Sequence, residues 1–166
     1  MPDKSLRNKI KGQSLVEALV AMSVILFGVL GVFTLLTRSL GLNRVVSDRY
    51  VATYLASEGV EVIKNIVDSN IIQSRAWNEN VTAGAYEVQY DTAGSNIQTS
   101  QDRTLFFDPN TKLFQYNGGN TTFYKRTVTT QTLSGGNELQ VNSVVDWNSH
   151  GGTYSINIED HFYNWR

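Results

Sequence analysis

The sequence of 166 residues contains no cysteine, only two prolines and only two histidines. Without cysteine the chain forms no disulfide framework, no thiolate zinc site and no thiol nucleophile. Charged residues make up 17% of the chain and the formal net charge is −1. This composition excludes a strongly basic nucleic-acid binder and a highly charged disordered tail. No proline lies between Pro2 and Pro109, so no proline interrupts a helix in that stretch.

Charge is nearly absent from a long apolar run near the N-terminus. Glu17 is the one charged residue between positions 15 and 36, whereas positions 1–12 hold four basic residues and one acidic residue. A helix rises about 1.5 Å per residue, so this run is long enough to cross a bilayer core of about 30 Å. Basic flanks stay on the cytoplasmic side, so we expect the remainder of the chain outside the cytoplasm.

The same run raises the alternative of a cleaved secretory signal. Its length exceeds the apolar region of about 7–15 residues that such signals contain. Ser39-Leu40-Gly41 has the small residues of a signal-peptidase site but lies beyond the end of the run. We therefore expect a retained membrane helix.

Glu17 is a carboxylate near the start of this apolar helix, where a charge costs a few kcal/mol without a partner. The simplest interpretation is a residue that reaches water at the membrane interface. A cut after Gly12 suggests another, because the new α-amine of Gln13 would lie one helical turn before Glu17 on the same face. At about 4 Å and an effective dielectric constant near 20, the two charges attract by roughly 4 kcal/mol.

The segment Lys11-Gly12-Gln13-Ser14-Leu15-Val16-Glu17, followed by Ala18-Leu19-Val20-Ala21-Met22, resembles the class III leader of type IV pilins and type II secretion pseudopilins. The resemblance implies a membrane prepilin peptidase that cuts after Gly12, and N-methylation of the exposed Gln13. It also implies that Glu17 pairs with the amine of a neighbouring subunit during filament assembly. Implied partners are other pilin or pseudopilin subunits, an inner-membrane assembly platform and the lipid bilayer, with no cofactor.

The chain departs from the family pattern at two positions. Gln13 stands where an aromatic residue usually follows the cut, and Thr34 stands where major pilins often carry a helix-kinking proline. Gly28 and Gly31 are the alternative weak points of the helix. Among the family, the segment looks most like a minor pilin.

Beyond residue 37 the sequence turns polar but keeps apolar residues at helical spacing. The stripe consists of Leu42, Val45, Ala52, Ala56, Gly59, Ile63 and Ile66. We therefore expect a leader peptide at 1–12, a transmembrane and assembly helix at 13–37, its amphipathic continuation at 38–70, and a head domain at 71–166.

The head domain shows short alternating runs separated by turn residues, which predicts an antiparallel sheet with one buried face. The predicted strands are 85–90, 104–107, 112–116, 123–132, 138–147 and 153–162, preceded by an irregular connector at 73–84. The residues expected to cover the helix are Val128, Val141, Val145, Ile156 and Ile158. The fold class is therefore α+β, a long N-terminal helix packed on a C-terminal antiparallel sheet, which is also the fold that the pilin resemblance implies.

The head offers little that indicates catalysis or metal binding. Its histidines and nearby acids are Asp146, His150, Glu159, Asp160 and His161. Consecutive residues on a strand point to opposite faces and this spacing fits no common zinc pattern, so we predict no metal site. Asp108 and Asn110 suit a plain turn, with a calcium loop as the alternative. No phosphate loop or nucleophile motif is present, so we predict that the chain is not an enzyme.

The head carries six basic and nine acidic residues, which disfavours nucleic acid as a partner. The neighbouring pair Lys125-Arg126 is interpreted as solvated surface. Trp77, Trp147 and the tail 162–165 are interpreted as packing residues, with an aromatic binding surface as the alternative.

Two functions follow from the sequence. The first is a structural subunit of a type IV pilus or type II secretion filament, processed after Gly12 and assembled through its N-terminal helix. The second is an uncleaved single-span membrane protein that presents a ligand-binding or partner-binding β domain. The sequence does not separate a pilus from a secretion pseudopilus.

Overall fold

The computed structural model describes residues 4–149 and 151–165, with side chains from residue 13 onward. One α-helix, α1, spans Lys4–Ile72 and is followed by seven strands, with a short 3₁₀ helix at Ser134–Gly136 between the fifth and sixth. The strands are β1 Gly84–Glu87, β2 Gln98–Thr99, β3 Thr104–Phe107, β4 Phe114–Gln115, β5 Asn120–Leu133, β6 Glu138–Ser149 and β7 Gly152–Tyr163. The predicted α+β class is confirmed: a long apolar N-terminal helix packs on a C-terminal antiparallel sheet.

The chain divides into two compact units, one ending at Arg44 and the other beginning at Val45. In the first unit the described residues form helix alone, and its large apolar side chains from Leu15 to Leu42 are exposed. The second unit contains the rest of α1 and the whole sheet. All the buried side chains of the described residues lie in this second unit.

The sheet is built around β5, the longest strand. Its first half pairs with β3 and its second half with β1, while β6 pairs along the opposite side. β2 extends the sheet beyond β1, β4 beyond β3, and β7 beyond β6. All of these pairings are antiparallel.

The second half of α1 covers one face of this sheet and forms two neighbouring apolar clusters with it. One joins Val60, Val62, Ile63, Ile66 and Val67 to Val81, Val88, Val128, Leu139 and Val141. The other joins Ala52, Leu55 and Ala56 to Leu105, Tyr116, Tyr124, Val145 and Trp147. The opposite face of the sheet has no covering layer among the described residues, and its side chains are polar or only partly buried.

The predicted helix stripe is confirmed from Ala52 to Ile66, where its members are buried. It is wrong at Leu42, which is 66% exposed. Leu42 belongs to the first unit, which contains no strand to cover it.

The predicted strands differ from the observed ones mainly where they are short. Predicted strand 112–116 contracts to β4, because Lys112 adopts a left-handed conformation with φ of 63° and completes a turn instead. Predicted strand 85–90 contracts to β1, and the carbonyl of Val88 accepts a hydrogen bond from the Arg126 guanidinium. β2 is not predicted, and α1 ends at Ile72 rather than at residue 70.

The inner-face prediction is confirmed for Val128, Val141 and Val145, which are fully buried. Ile156 and Ile158 of β7 are only half-buried. They pack against the edge of the core, because the helix lies over β5 and β6 more fully than over β7.

Candidate functional site

The predicted processing and assembly residues lie near the start of α1. Gln13 and Glu17 are helical and exposed, and the four-residue spacing places them one turn apart on the same face. Gly12 is in the helix, but residues 1–3 lie outside the described chain and nothing is described of side chains 4–12. The cut between Gly12 and Gln13 therefore stays a prediction.

The apolar part of α1 satisfies its hydroxyl groups internally. The Ser23 hydroxyl donates to the carbonyl of Leu19 at 2.8 Å, and the Thr34 hydroxyl donates to the carbonyl of Leu30 at 2.8 Å. Between positions 15 and 36 the remaining polar side chain is Glu17, and no described residue donates a hydrogen bond to its carboxylate. In this stretch Glu17 is thus the polar side chain without a hydrogen-bond partner among the described residues.

A shallow apolar notch lies further toward the C-terminal end of the same helix, between Ile25 and Leu36. Gly28 forms its floor, and a Cβ added to Gly28 would meet nothing within 4 Å. Its other lining residues are Ile25, Val29, Val32, Phe33 and Leu36. Small residues at such places allow a second helix to approach closely.

This helix is long and apolar enough to cross a membrane, and none of its most apolar window is buried in the described chain. Its exposure contrasts with soluble core helices, whose apolar faces are covered. The segment therefore requires lipid or other helices around it.

In the head, a buried arginine joins α1 to the sheet. Arg126 on β5 is 1% exposed; its Nη1 donates to the carbonyl of Leu55 at 2.9 Å and lies 3.4 Å from Glu58 Oε2. Its Nη2 donates to the carbonyl of Val88, and its own carbonyl accepts a hydrogen bond from the Tyr116 hydroxyl at 3.0 Å. The interpretation of Lys125-Arg126 as a solvated pair is therefore wrong for Arg126. Alternation along β5 turns Arg126 toward the helix.

A second buried charge, Glu87 on β1, organises the loop before β3. Its carboxylate accepts hydrogen bonds from the backbone of Gln101 at 2.8 Å and from Arg103, whose Nη2 lies 2.6 Å away. The Arg103 guanidinium lies over the Tyr116 ring at 5.2 Å. Glu87, Arg103 and Tyr116 line a polar cleft of about 230 Å³. Glu87 and Arg103 neutralise each other there, and Asp91 adds a negative charge to the lining.

His161 and two glutamates form a polar cluster on the uncovered face of the sheet. Its Nδ1 lies 2.7 Å from Glu138 Oε1 on β6, and its Nε2 lies 3.1 Å from Glu159 Oε1. The hydrogen bonds to Glu159 and Glu138 raise the pKa of His161. Hydrogen bonds from Ser134 and His161 lower the pKa of Glu138, and a hydrogen bond from His161 lowers the pKa of Glu159.

The two ring nitrogens of His161 thus face different carboxylates, which is an ion-pair arrangement rather than a chelate. Asp160 does not join this cluster and instead accepts a hydrogen bond from the backbone of His161 at 2.8 Å. Within residues 4–149 and 151–165, no group of three histidine, aspartate or glutamate residues is arranged to hold a metal ion. His150 lies outside the described residues.

The Asp108 carboxylate forms hydrogen bonds within its own turn. Its carboxylate accepts the backbone N–H of Asn110 at 2.8 Å and the Thr111 hydroxyl at 3.0 Å, and the Asn110 bond lowers the pKa of Asp108. This geometry favours the plain turn over a calcium loop.

The tryptophans divide between core and surface. Trp147 is buried and stacks on Tyr154 at 5.6 Å, and Trp77 packs against the core. Trp165, in contrast, is 76% exposed.

Comparison with known proteins identifies the N-terminal segment. Residues 7–33 match the family model of the prokaryotic N-terminal methylation motif, which is characteristic of type IV pilins and pseudopilins. The predicted resemblance to these proteins is thereby confirmed, and the motif supports a role as a pilin-like or pseudopilin subunit. No curated protein and no solved structure matches the chain.

Proposed function

We propose that this chain is a minor pilin or pseudopilin, cut after Gly12 and built into a filament through its N-terminal helix. The observation that carries the proposal is the coincidence of the methylation motif at 7–33 with an exposed apolar helix whose lone carboxylate has no partner in the described chain. An exposed apolar helix alone is common in membrane anchors. Together the two features fit a segment that leaves lipid to pack against copies of itself.

In this proposal the chain first crosses the inner membrane once, with its basic leader in the cytoplasm and its head outside. A prepilin peptidase removes the leader, and an inner-membrane assembly platform receives the mature subunit. The domains are then the leader at 1–12, the assembly helix at 13–37, its amphipathic continuation at 38–70 and the head at 71–166. The described contacts support separate roles for the helix and the head, because the hydrophobic core of the described residues lies in the second unit.

The cut supplies the cation that Glu17 lacks. Cleavage creates an α-amine on Gln13, which lies in the same helical face as Glu17 and at a similar membrane depth. In a filament the same chemistry is available between neighbouring subunits, where an amine and a carboxylate attract by roughly 4 kcal/mol at about 4 Å and an effective dielectric constant near 20. The uncut chain has no such amine, so assembly would wait for processing.

The processing step is tested by mass spectrometry of the N-terminus of protein recovered from cells that contain a prepilin peptidase. We expect Gln13, with its amine methylated, as the first residue. Gly12→Ala should retain the leader, because glycine is the residue that precedes the cut in the methylation motif. An unprocessed terminus on wild-type protein from filaments would contradict the proposal and favour the uncleaved single-span protein.

The assembly step is tested by Glu17→Gln, which removes the charge but keeps the shape of the side chain. We expect normal cleavage and much poorer incorporation into filaments. Ser23→Ala is the matched control, because Ser23 lies in the same apolar stretch but its hydroxyl is already bonded to Leu19. Equal incorporation of wild type and Glu17→Gln would rule out the amine–carboxylate role.

A further inference from the structure

The edge of the sheet formed by β7 is long and unprotected. β7 spans Gly152–Tyr163 and, among the described strands, pairs with β6 alone. The other outer strands, β2 and β4, have two residues each. Natural proteins usually guard an edge of this length with proline, charged side chains, a bulge or a covering loop. β7 contains no proline, its charged residues are confined to its C-terminal end from Glu159 onward, and its register with β6 runs without a bulge.

The backbone groups that face outward along this edge can be assigned. The N–H of His161 donates to its neighbour Asp160, so it points away from β6, whereas the N–H of Asn164 donates to Asn137 at the end of β6. Backbone direction alternates along an antiparallel strand. Thr153, Ser155, Asn157 and Glu159 therefore direct their N–H and C=O groups away from the sheet. Asp160 ends this open run by occupying the next outward N–H.

The side chains along the open run have a simple pattern. Positions 152–158 carry no charge, and Tyr154, Ile156 and Ile158 lie half-buried on the helix side of the sheet. A residue placed beside them would complete their burial. At the C-terminal end of the run, the exposed Glu159 pairs with His161, but Glu138 bonds to the same imidazole, so the two carboxylates leave this end net negative.

We propose that the β7 edge binds an extended segment of a different protein as an additional antiparallel strand. The segment has apolar residues opposite Tyr154, Ile156 and Ile158, polar residues between them, and a lysine or arginine opposite Glu159. Main-chain hydrogen bonds to the open run supply affinity, and the half-buried apolar residues and Glu159 supply specificity. This inference does not depend on the cut after Gly12, but the choice of a different protein over a second copy rests on the proposed filament function.

A second copy of the chain is a poorer occupant of this edge. Antiparallel pairing of two β7 strands requires a two-fold axis perpendicular to the sheet. The same axis makes the two copies of helix 45–72 run in opposite directions. Subunits that enter one filament from one membrane need parallel helices. The edge therefore suits a partner that is not related to the chain by such an axis.

The test uses the full chain in detergent micelles and two blocked heptapeptides. The first has the sequence Lys-Val-Thr-Val-Thr-Val-Thr, which places lysine opposite Glu159, and the second replaces that lysine with glutamate. We expect the lysine peptide to bind more tightly and to slow hydrogen exchange several-fold at the amides of residues 153, 155, 157 and 159. The amides of 154, 156 and 158 are already bonded to β6 and should change little.

Two variants complete the test. Asn157→Pro removes an outward N–H, so it should leave the β6–β7 ladder intact and abolish peptide binding, whereas Asn157→Thr should bind as wild type does. Glu159→Lys should reverse the preference between the two peptides, which a folding defect would not do. Unchanged binding by Asn157→Pro, an unreversed preference in Glu159→Lys, or protection at another edge would each overturn the proposal.

Discussion

At the scale of single residues, the buried guanidinium of Arg126 holds separate segments of the head together. It connects Leu55 and Glu58 on α1 to Val88 beyond β1, so it bridges three separate segments. Removal of one partner from a buried charged network leaves the others without hydrogen bonds in a water-free interior.

We therefore expect Arg126→Ala to lower the free energy of unfolding by about 3–5 kcal/mol. Lys125→Ala is the matched control, because Lys125 pairs with the exposed Asp102 and surface pairs contribute about 1 kcal/mol or less. Urea unfolding of the full chain in detergent, followed by circular dichroism, measures both. Equal midpoints for the two variants would show that the Arg126 contacts contribute little.

The interpretation of Lys125-Arg126 as a neighbouring basic pair on solvated surface fails at Arg126. Strand alternation puts positions 124, 126, 128 and 130 on one face of the sheet and Lys125 on the other. Tyr124, Val128 and Thr130 are buried on that face, so an arginine between them was a detectable signal of a buried ion pair. Gln13 and Glu17, in contrast, are predicted from their local motif, and their roles stay predictions.

At the scale of elements, α1 approaches the sheet closely at Gly59. A Cβ added there would overlap the Ser143 hydroxyl on β6 and lie 2.9 Å from Val128 Cγ2 on β5. The glycine is therefore required by packing between the helix and the sheet, although glycine weakens a helix by about 1 kcal/mol relative to alanine.

We expect Gly59→Ala to destabilise the head by about 1–3 kcal/mol, because overpacking outweighs the gain in helix propensity. Gly41→Ala should be neutral or stabilising, since a Cβ there meets nothing within 4 Å. Adding Ser143→Ala to Gly59→Ala should recover part of the loss by removing the overlapping oxygen. Thermal unfolding of the three variants measures this, and a Gly59→Ala variant as stable as Gly41→Ala would contradict the close approach.

The elements that the sequence predicted well are those with enough residues to show a period. α1, β5, β6 and β7 each carry several turns or several alternations, so their existence and order were predictable. β2 and β4 have two residues each, and their position depends on pairing with β1 and β3 rather than on local pattern. Such strands form because the edge of a neighbouring strand is available for pairing, and the local sequence pattern does not show which edges are available.

At the scale of the whole molecule, the two units differ in what stabilises them. The second unit buries its own core, whereas the described residues of the first expose an apolar helix. In the proposed assembly, the head would stay folded while the helix exchanges lipid for other helices. The stability of the head should therefore depend on groups within residues 45–166, including those that titrate.

The pH dependence of head stability follows from the His161 cluster. The pKa of His161 is raised from 6.5, so its stabilisation is complete below pH 6.5 and is lost as the pH rises through the raised folded value. The pKa values of Glu138 and Glu159 are lowered from 4.5, so their stabilisation is present above pH 4.5 and is lost as the pH falls through the lowered values. The cluster therefore stabilises the head most between pH 4.5 and pH 6.5.

We expect the difference in melting temperature between wild type and His161→Gln to be largest inside that window and to shrink on both sides of it. Thr153→Ala is the control, because Thr153 bonds to Asn148 on the same sheet face at 2.8 Å without a titrating group, so its difference from wild type should not vary with pH. Melting curves of the full chain in detergent across the window and beyond it measure both differences. A constant difference for His161→Gln would mean that the ion pairs with Glu138 and Glu159 do not form in the folded protein.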